Sequence, residues 1–350
     1  MASASGVPTW VSGLTWEADL GAPALERVSK PRISKLRLSK LGTRALGVFI
    51  PGVLALGAFA ASGCSPKCAE PPPPPLERPS GPLERAAAEQ YVLKLVNRHR
   101  AAHDLPPVEW DEAAAEAGRR HAADMAARGF TAHLGSDGSV PEQRYSESGG
   151  AHLVQENAAC FFDGVARELD PEPRFDPRQL EAIQDAFYNE VPPHDGHRTN
   201  ILKRWHTGFG VGLAKPRGVE QPCMAQEFVD EYAKLTDLPK VAARRQVITV
   251  SGELLEPAVF GAIGLGRIEP ARPLTPEALN QTSSYHMPAP DTLYSPAGFV
   301  TPKPVQVNGN RFSIELELGA QAGRYLVSVW ARMPGSDELT MVSLRTITVK

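Results

Sequence analysis

The chain has 350 residues, long enough for two domains, and its 42% hydrophobic and 22% charged content is that of a soluble globular protein. Thirty-three prolines exclude a uniformly helical fold. The formal charge is -3, and the basic excess is confined to the first 63 residues; the mildly acidic remainder holds no basic run and argues against nucleic acid as a partner.

Residues 1–63 read as a leader. Basic residues from Arg27 to Arg44 precede "ALGVFIPGVLALGAFAA", apolar from Ala45 to Ala61, and "SGC" follows. That is the charged, apolar, small order of a secretory signal. Seventeen residues span about 25 Å as a helix, slightly short for a bilayer core. The ending "AASGC" resembles the lipobox of bacterial lipoproteins, with Cys64 as the lipidation site and Ala61 where the box has Leu. The resemblance implies a cell-envelope protein held to a membrane by a lipid anchor. An uncleaved anchor and plain secretion are the alternatives, and all three carry the body out of the cytoplasm. Residues 64–86 follow as a tether that includes Cys68 and "AEPPPPPLERPSGP", an extended, semi-rigid spacer.

The next stretch is helical. "PLERAAAEQYVLKLVNRHRAA" places Tyr91, Val92, Leu95 and Val96 at helical spacing, with Pro82 suited to its first position. A second helix opens at Asp111 and closes on Gly129. A third opens at Asp176, with Pro177 first and Gln179 placed for a capping box, and stops before Pro192. Glu156 starts a helical or buried run; "TGFGVGLA" and "MAQEFV" read as short buried strands. Cys160 and Cys223 are far apart in sequence; in an oxidising compartment they form a disulfide, and otherwise two buried thiols. No C-x-x-C pair exists to build a zinc site.

From residue 245 the pattern becomes one of about seven short strands and no helix. Phe312, Ile314, Leu316 and Leu318 alternate with polar residues, and Asn308-Gly309 suits a type I′ turn before them. An immunoglobulin-like β-sandwich over 245–350, without a catalytic constellation, is the expected architecture.

Chemistry concentrates in "FYNEVPPHDGHRTNIL", residues 187–202. Glu190 ends the third helix, the Pro-Pro step redirects the chain, and His197 heads a new helical segment after Gly196. A helix N-terminus favours the neutral imidazole that a metal or a general base requires. Upstream stand His133 in "FTAH" and Glu156-Asn157 in "QEN". These fragments, in order, with "GHRTNIL" and "GFGVGLA", resemble the CAP superfamily of cysteine-rich secretory proteins, antigen 5 and pathogenesis-related proteins, whose bacterial branch is called SCP-like. The resemblance covers about residues 87–234, within an expected domain over 87–236. It implies an α+β fold, an α-β-α sandwich ahead of the β-sandwich. It further implies a cavity formed by His133, Glu156, Glu190 and His197, with Asn157 behind it and Asn200 tying the "HRTN" turn to the backbone.

Such a set suits zinc or another divalent cation. The primary expectation is an extracytoplasmic binding or interaction protein with a lipid, peptide or cell-envelope ligand. Two others compete with it: a metal-assisted hydrolase with Glu156 or Glu190 as general base, and an adhesin or scaffold with a vestigial cavity. No nucleophile is evident: Ser146 and Ser148 lack an assigned base, and Cys160 reads as structural. His121 reads as a packed or half-exposed helix residue and His206 as an ordinary one.

Overall fold

The computed structural model describes residues 73–282 and 284–350. The leader, Cys64 and Cys68 lie outside them. No helix among the described residues is long and apolar enough to cross a membrane.

Helix α1 spans Arg85–Ala101 and buries Tyr91, Val92, Leu95 and Val96. It starts three residues later than Pro82, because Leu83 is held in an antiparallel bridge with Phe175. After β1 (Glu109–Trp110), helix α2 (Glu112–Arg128) is capped by the Asp111 side chain, which accepts from the Ala114 amide. Gly129 ends it at φ +69°, a left-handed conformation that costs glycine little. Helix α3 (Pro141–Glu147) leads to β2 (Leu153–Ala159), so Glu156 lies on a fully buried strand. Helix α4 covers Pro177–Tyr188; its Asp176 cap accepts from the Arg178 amide. The short α5 (Gly196–Ile201) precedes β3 (Gly208–Ala214) and β4 (Cys223–Asp230).

These strands form one sheet in the order β1-β3-β4-β2, with β1–β3 parallel and the rest antiparallel. Strand β3 shows why the sheet carries two unlike helical layers. Phe209, Val211 and Leu213 point to one face and join α1 and α4 in a core with Leu95, Leu180, Ile183 and Phe187. Gly208, Gly210 and Gly212 occupy the alternate positions and let α2 approach closely. At the contact, a Cβ on Gly118 of α2 would stand 2.8 Å from Ala225 O and Gly212 N. Cys160 and Cys223 are joined by a disulfide across 63 residues, buried beside Ala122, Met125 and Phe130.

Nine further strands make two more sheets. They are β5 (Ala233–Leu235), β6 (Val241–Ala242), β7 (Val247–Leu254), β8 (Val259–Ile268), β9 (Thr292–Tyr294), β10 (Gln306–Asn308), β11 (Arg311–Glu317), β12 (Gly323–Arg332) and β13 (Leu339–Val349). Their orders are β10-β11-β7-β5 and β6-β13-β12-β8-β9. Phe312, Ile314 and Leu316 from one sheet meet Val327, Val329 and Ile347 from the other in a shared apolar core, which makes a sandwich.

Two details depart from expectation. Asn308 pairs with Arg311, so the hairpin loop is Gly309-Asn310, one residue later, and only Gly309 takes a left-handed φ. The strand pattern is also interrupted by a helix, α6 (Pro276–Leu279), capped by Thr275. It belongs to an excursion between β8 and β9 that reaches back to the first sheet's layers: Leu279 enters the core around Phe130, and Asn280 accepts from the Thr131 amide. Docking gains more than the isolated helix could supply, since so short a helix is not stable alone.

Candidate functional site

Strand β2 places three consecutive polar side chains in the interior, and the pleat sends them to alternate faces. Glu156 points towards α2. Its Oε1 lies 2.9 Å from His133 Nδ1 and 3.6 Å from His121 Nε2, and its Oε2 accepts from Arg144 at 2.7 Å. Opposite it in register on β4 stands Glu227, facing the same way. All five side chains are buried.

The charges in this cluster are not independent. Burial and the Arg144 guanidinium push the pKa of His121 down to about 4, so its ring is neutral at pH 7. Burial works against ionised Glu156, yet Arg144, His121 and the His133 hydrogen bond hold its carboxyl well below the usual carboxylate range. With His121 neutral, Arg144 is the partner that counts near neutrality. For Glu227, burial and the neighbouring charge of Glu156 raise the pKa well above its ordinary value. The row therefore holds one anion, one cation and one protonated acid. Beside it opens a polar cavity of about 120 Å3, walled by His121, Arg144, Arg120, Asp124 and Ser139.

Asn157 points to the opposite face. Its Nδ2 donates to His197 O at 3.2 Å, and its Oδ1 accepts from Asn200 at 2.9 Å. His197 heads α5 as read from the sequence, and Glu190 grips it twice: at Nδ1 (2.5 Å) and at the backbone amide (2.9 Å). The ring packs on Phe187 of α4, and its Nε2 is buried with no hydrogen-bond partner among the described residues. Asn200 ties to side chains and not to the backbone: besides Asn157 it meets His206 Nε2 at 3.0 Å. His206 in turn contacts Asp230 at 2.6 Å, and burial lowers its pKa to about 4.

The structure thus gathers the four expected residues as two His–Glu pairs, His133–Glu156 and Glu190–His197. Alternation along β2 puts them on opposite faces of the sheet, linked through Asn157. Among the described residues no three His, Cys, Asp or Glu side chains come together as a metal ligand set. Each carboxylate is already engaged by a histidine Nδ1, and Glu156 also by a guanidinium. A site with all four as ligands to one ion does not fit this arrangement.

Sequence reasoning missed His121, Arg144 and Glu227. Arg144 and Glu227 sit in ordinary amphipathic and strand patterns, and only register and the α3 fold bring them to Glu156. The signal for Glu227 was a charge inside the apolar run "MAQEFV".

Comparison with known proteins bears on the same region. Residues 93–221 match the model of the Cysteine-rich secretory protein family, CAP. The chain carries a CAP domain. No curated protein matches it. Among solved structures, an extracellular protein containing an SCP domain from Bacillus anthracis str. Ames is 24% identical, with a TM-score of 0.32, over 42% of this chain and 41% of that one. A chitin binding domain from Burkholderia pseudomallei is 8% identical, with a TM-score of 0.21, over 32% of this chain and 57% of that one. The chain therefore spans less than two thirds of either structure.

Proposed function

We propose that this CAP-domain protein acts outside the cytoplasm as a binding or interaction protein and not as a hydrolase. The observation that carries the reading is the state of Glu156. A general base must be free to take a proton near neutral pH. Glu156 is buried, paired with Arg144 and held strongly acidic. Glu190, the other candidate base, is committed to the ring and the amide of His197. The Cys160–Cys223 disulfide supports an oxidising compartment, as does the secretory order of the leader. Lipid anchoring at Cys64 is part of the proposal. Labelling with a fatty-acid analogue, lost in Cys64→Ser, is the expected result; equal labelling of both proteins removes the anchor.

Incubation with a peptide library tests the central claim. No cleavage is expected from the wild type. Cleavage that Glu156→Gln abolishes would show catalysis and defeat the reading. A divalent cation such as zinc would enter at His197, whose ring is held through Nδ1 by Glu190 as metal-bound histidines are held by carboxylates. One imidazole is a weak anchor, so metal content is expected to be substoichiometric and lower still in His197→Ala.

A further inference from the structure

We propose that the cleft between the CAP domain and the β-sandwich is a second binding site, selective for a small apolar carboxylate. The cleft measures about 330 Å3, and neither Glu156 nor His197 lines it. Pro270, Ala271, Ala322 and Val349 give it apolar walls, and Arg324 and Lys350 are the charged residues lining it. No acid lines it. Its volume is at the lower end of the range for small-molecule pockets.

Arg324 gives the site its polarity. It lies on β12, the middle of its sheet, and its residue is only 8% exposed. Its Nη1 donates to Gln143 of α3, and its Nε is buried without a hydrogen-bond partner. No carboxylate forms a salt bridge with it among the described residues. The acid next to Gln143, Glu142, lies within Coulomb reach of Arg324 but makes no direct contact with it, and accepts from the Tyr285 hydroxyl at 2.5 Å.

A guanidinium withdrawn from water without a direct salt-bridge partner is costly, and an anion beside it recovers much of that cost. The planar fork of arginine matches a carboxylate, and the apolar walls favour a short hydrocarbon or a single ring behind it. Both domains and the excursion after β8 contribute to the cleft, so an occupant would also bridge them.

The test uses the full chain, 2-naphthoate as probe and the neutral 2-naphthalenemethanol as its control. Saturable one-to-one binding of the naphthoate is expected by calorimetry, with the alcohol at least tenfold weaker. Arg324→Met should weaken the naphthoate at least tenfold and leave the alcohol unchanged. Ala271→Trp fills the cleft without touching Arg324, and should abolish binding of both while the circular dichroism spectrum stays that of the wild type. It keeps the test valid if Arg324→Met fails to fold. No saturable binding at millimolar probe, equal binding of the alcohol, or unimpaired binding by folded Ala271→Trp would each overturn the proposal.

Discussion

Arg144→Met and Glu156→Gln each break the same buried ion pair, yet they should not cost the same. Arg144 donates to Glu156 at 2.7 Å, to His133 O at 3.0 Å and to Ser139 O at 3.2 Å. Removing it strands Glu156 in the interior, and stranding one partner of a buried pair costs about 3–5 kcal/mol. Glu156→Gln also removes a partner, but Glu227 stands opposite and within Coulomb reach of Arg144. Once the charge of Glu156 is gone, its repulsion of Glu227 is gone too, and the unpaired Arg144 favours ionised Glu227 against the burial that remains. Glu227 ionises and inherits the guanidinium, so the cost falls to about 1–3 kcal/mol, that of a hydrogen bond to a charged group. Urea denaturation at pH 7, compared at matched m-values, measures both. A further variant isolates the cause: Glu156→Gln in a Glu227→Gln background removes the substitute and should cost as much as Arg144→Met. If Glu156→Gln alone is as damaging as Arg144→Met, or more so, the picture of a shared guanidinium is wrong.

Reduction of the Cys160–Cys223 bridge, which closes 63 residues, should cost about 4 kcal/mol by loop-closure entropy; urea midpoints with and without dithiothreitol measure it. The pKa values of His121 and His206 are lowered by burial from 6.5 to about 4, so the unfolded chain binds protons first. Their contribution to stability is complete above pH 6.5 and is lost as pH falls towards 4. Histidine ring signals in NMR should then stay fixed for these two residues down to about pH 5, and midpoints near 6.5 would contradict the burial argument. Gly118→Ala forces a Cβ against Ala225 O and should destabilise by about 1–3 kcal/mol, read as a lower denaturation midpoint.

Much of this protein is written locally. The Asp111 cap, the Gly129 stop, Pro177 at the first helical position and the alternation of β3 and β11 are short-range patterns, and each fixes an element within a few residues. The ordered fragments from His133 to "GFGVGLA" also pointed to the CAP domain, because a motif is a local string. Tertiary structure alone decided which residues meet. Neighbours on a strand point to opposite faces, so Glu156 and Asn157, read as one motif, lead into two separate networks. Register decided that Glu227 faces Glu156, and the fold of α3 decided that Arg144 neutralises it. The helix hidden in the strand region, Pro276–Leu279, exists only because it docks on the distant core around Phe130. Contacts between segments a hundred residues apart are settled by packing and burial of the whole chain, and a window of sequence does not contain that information.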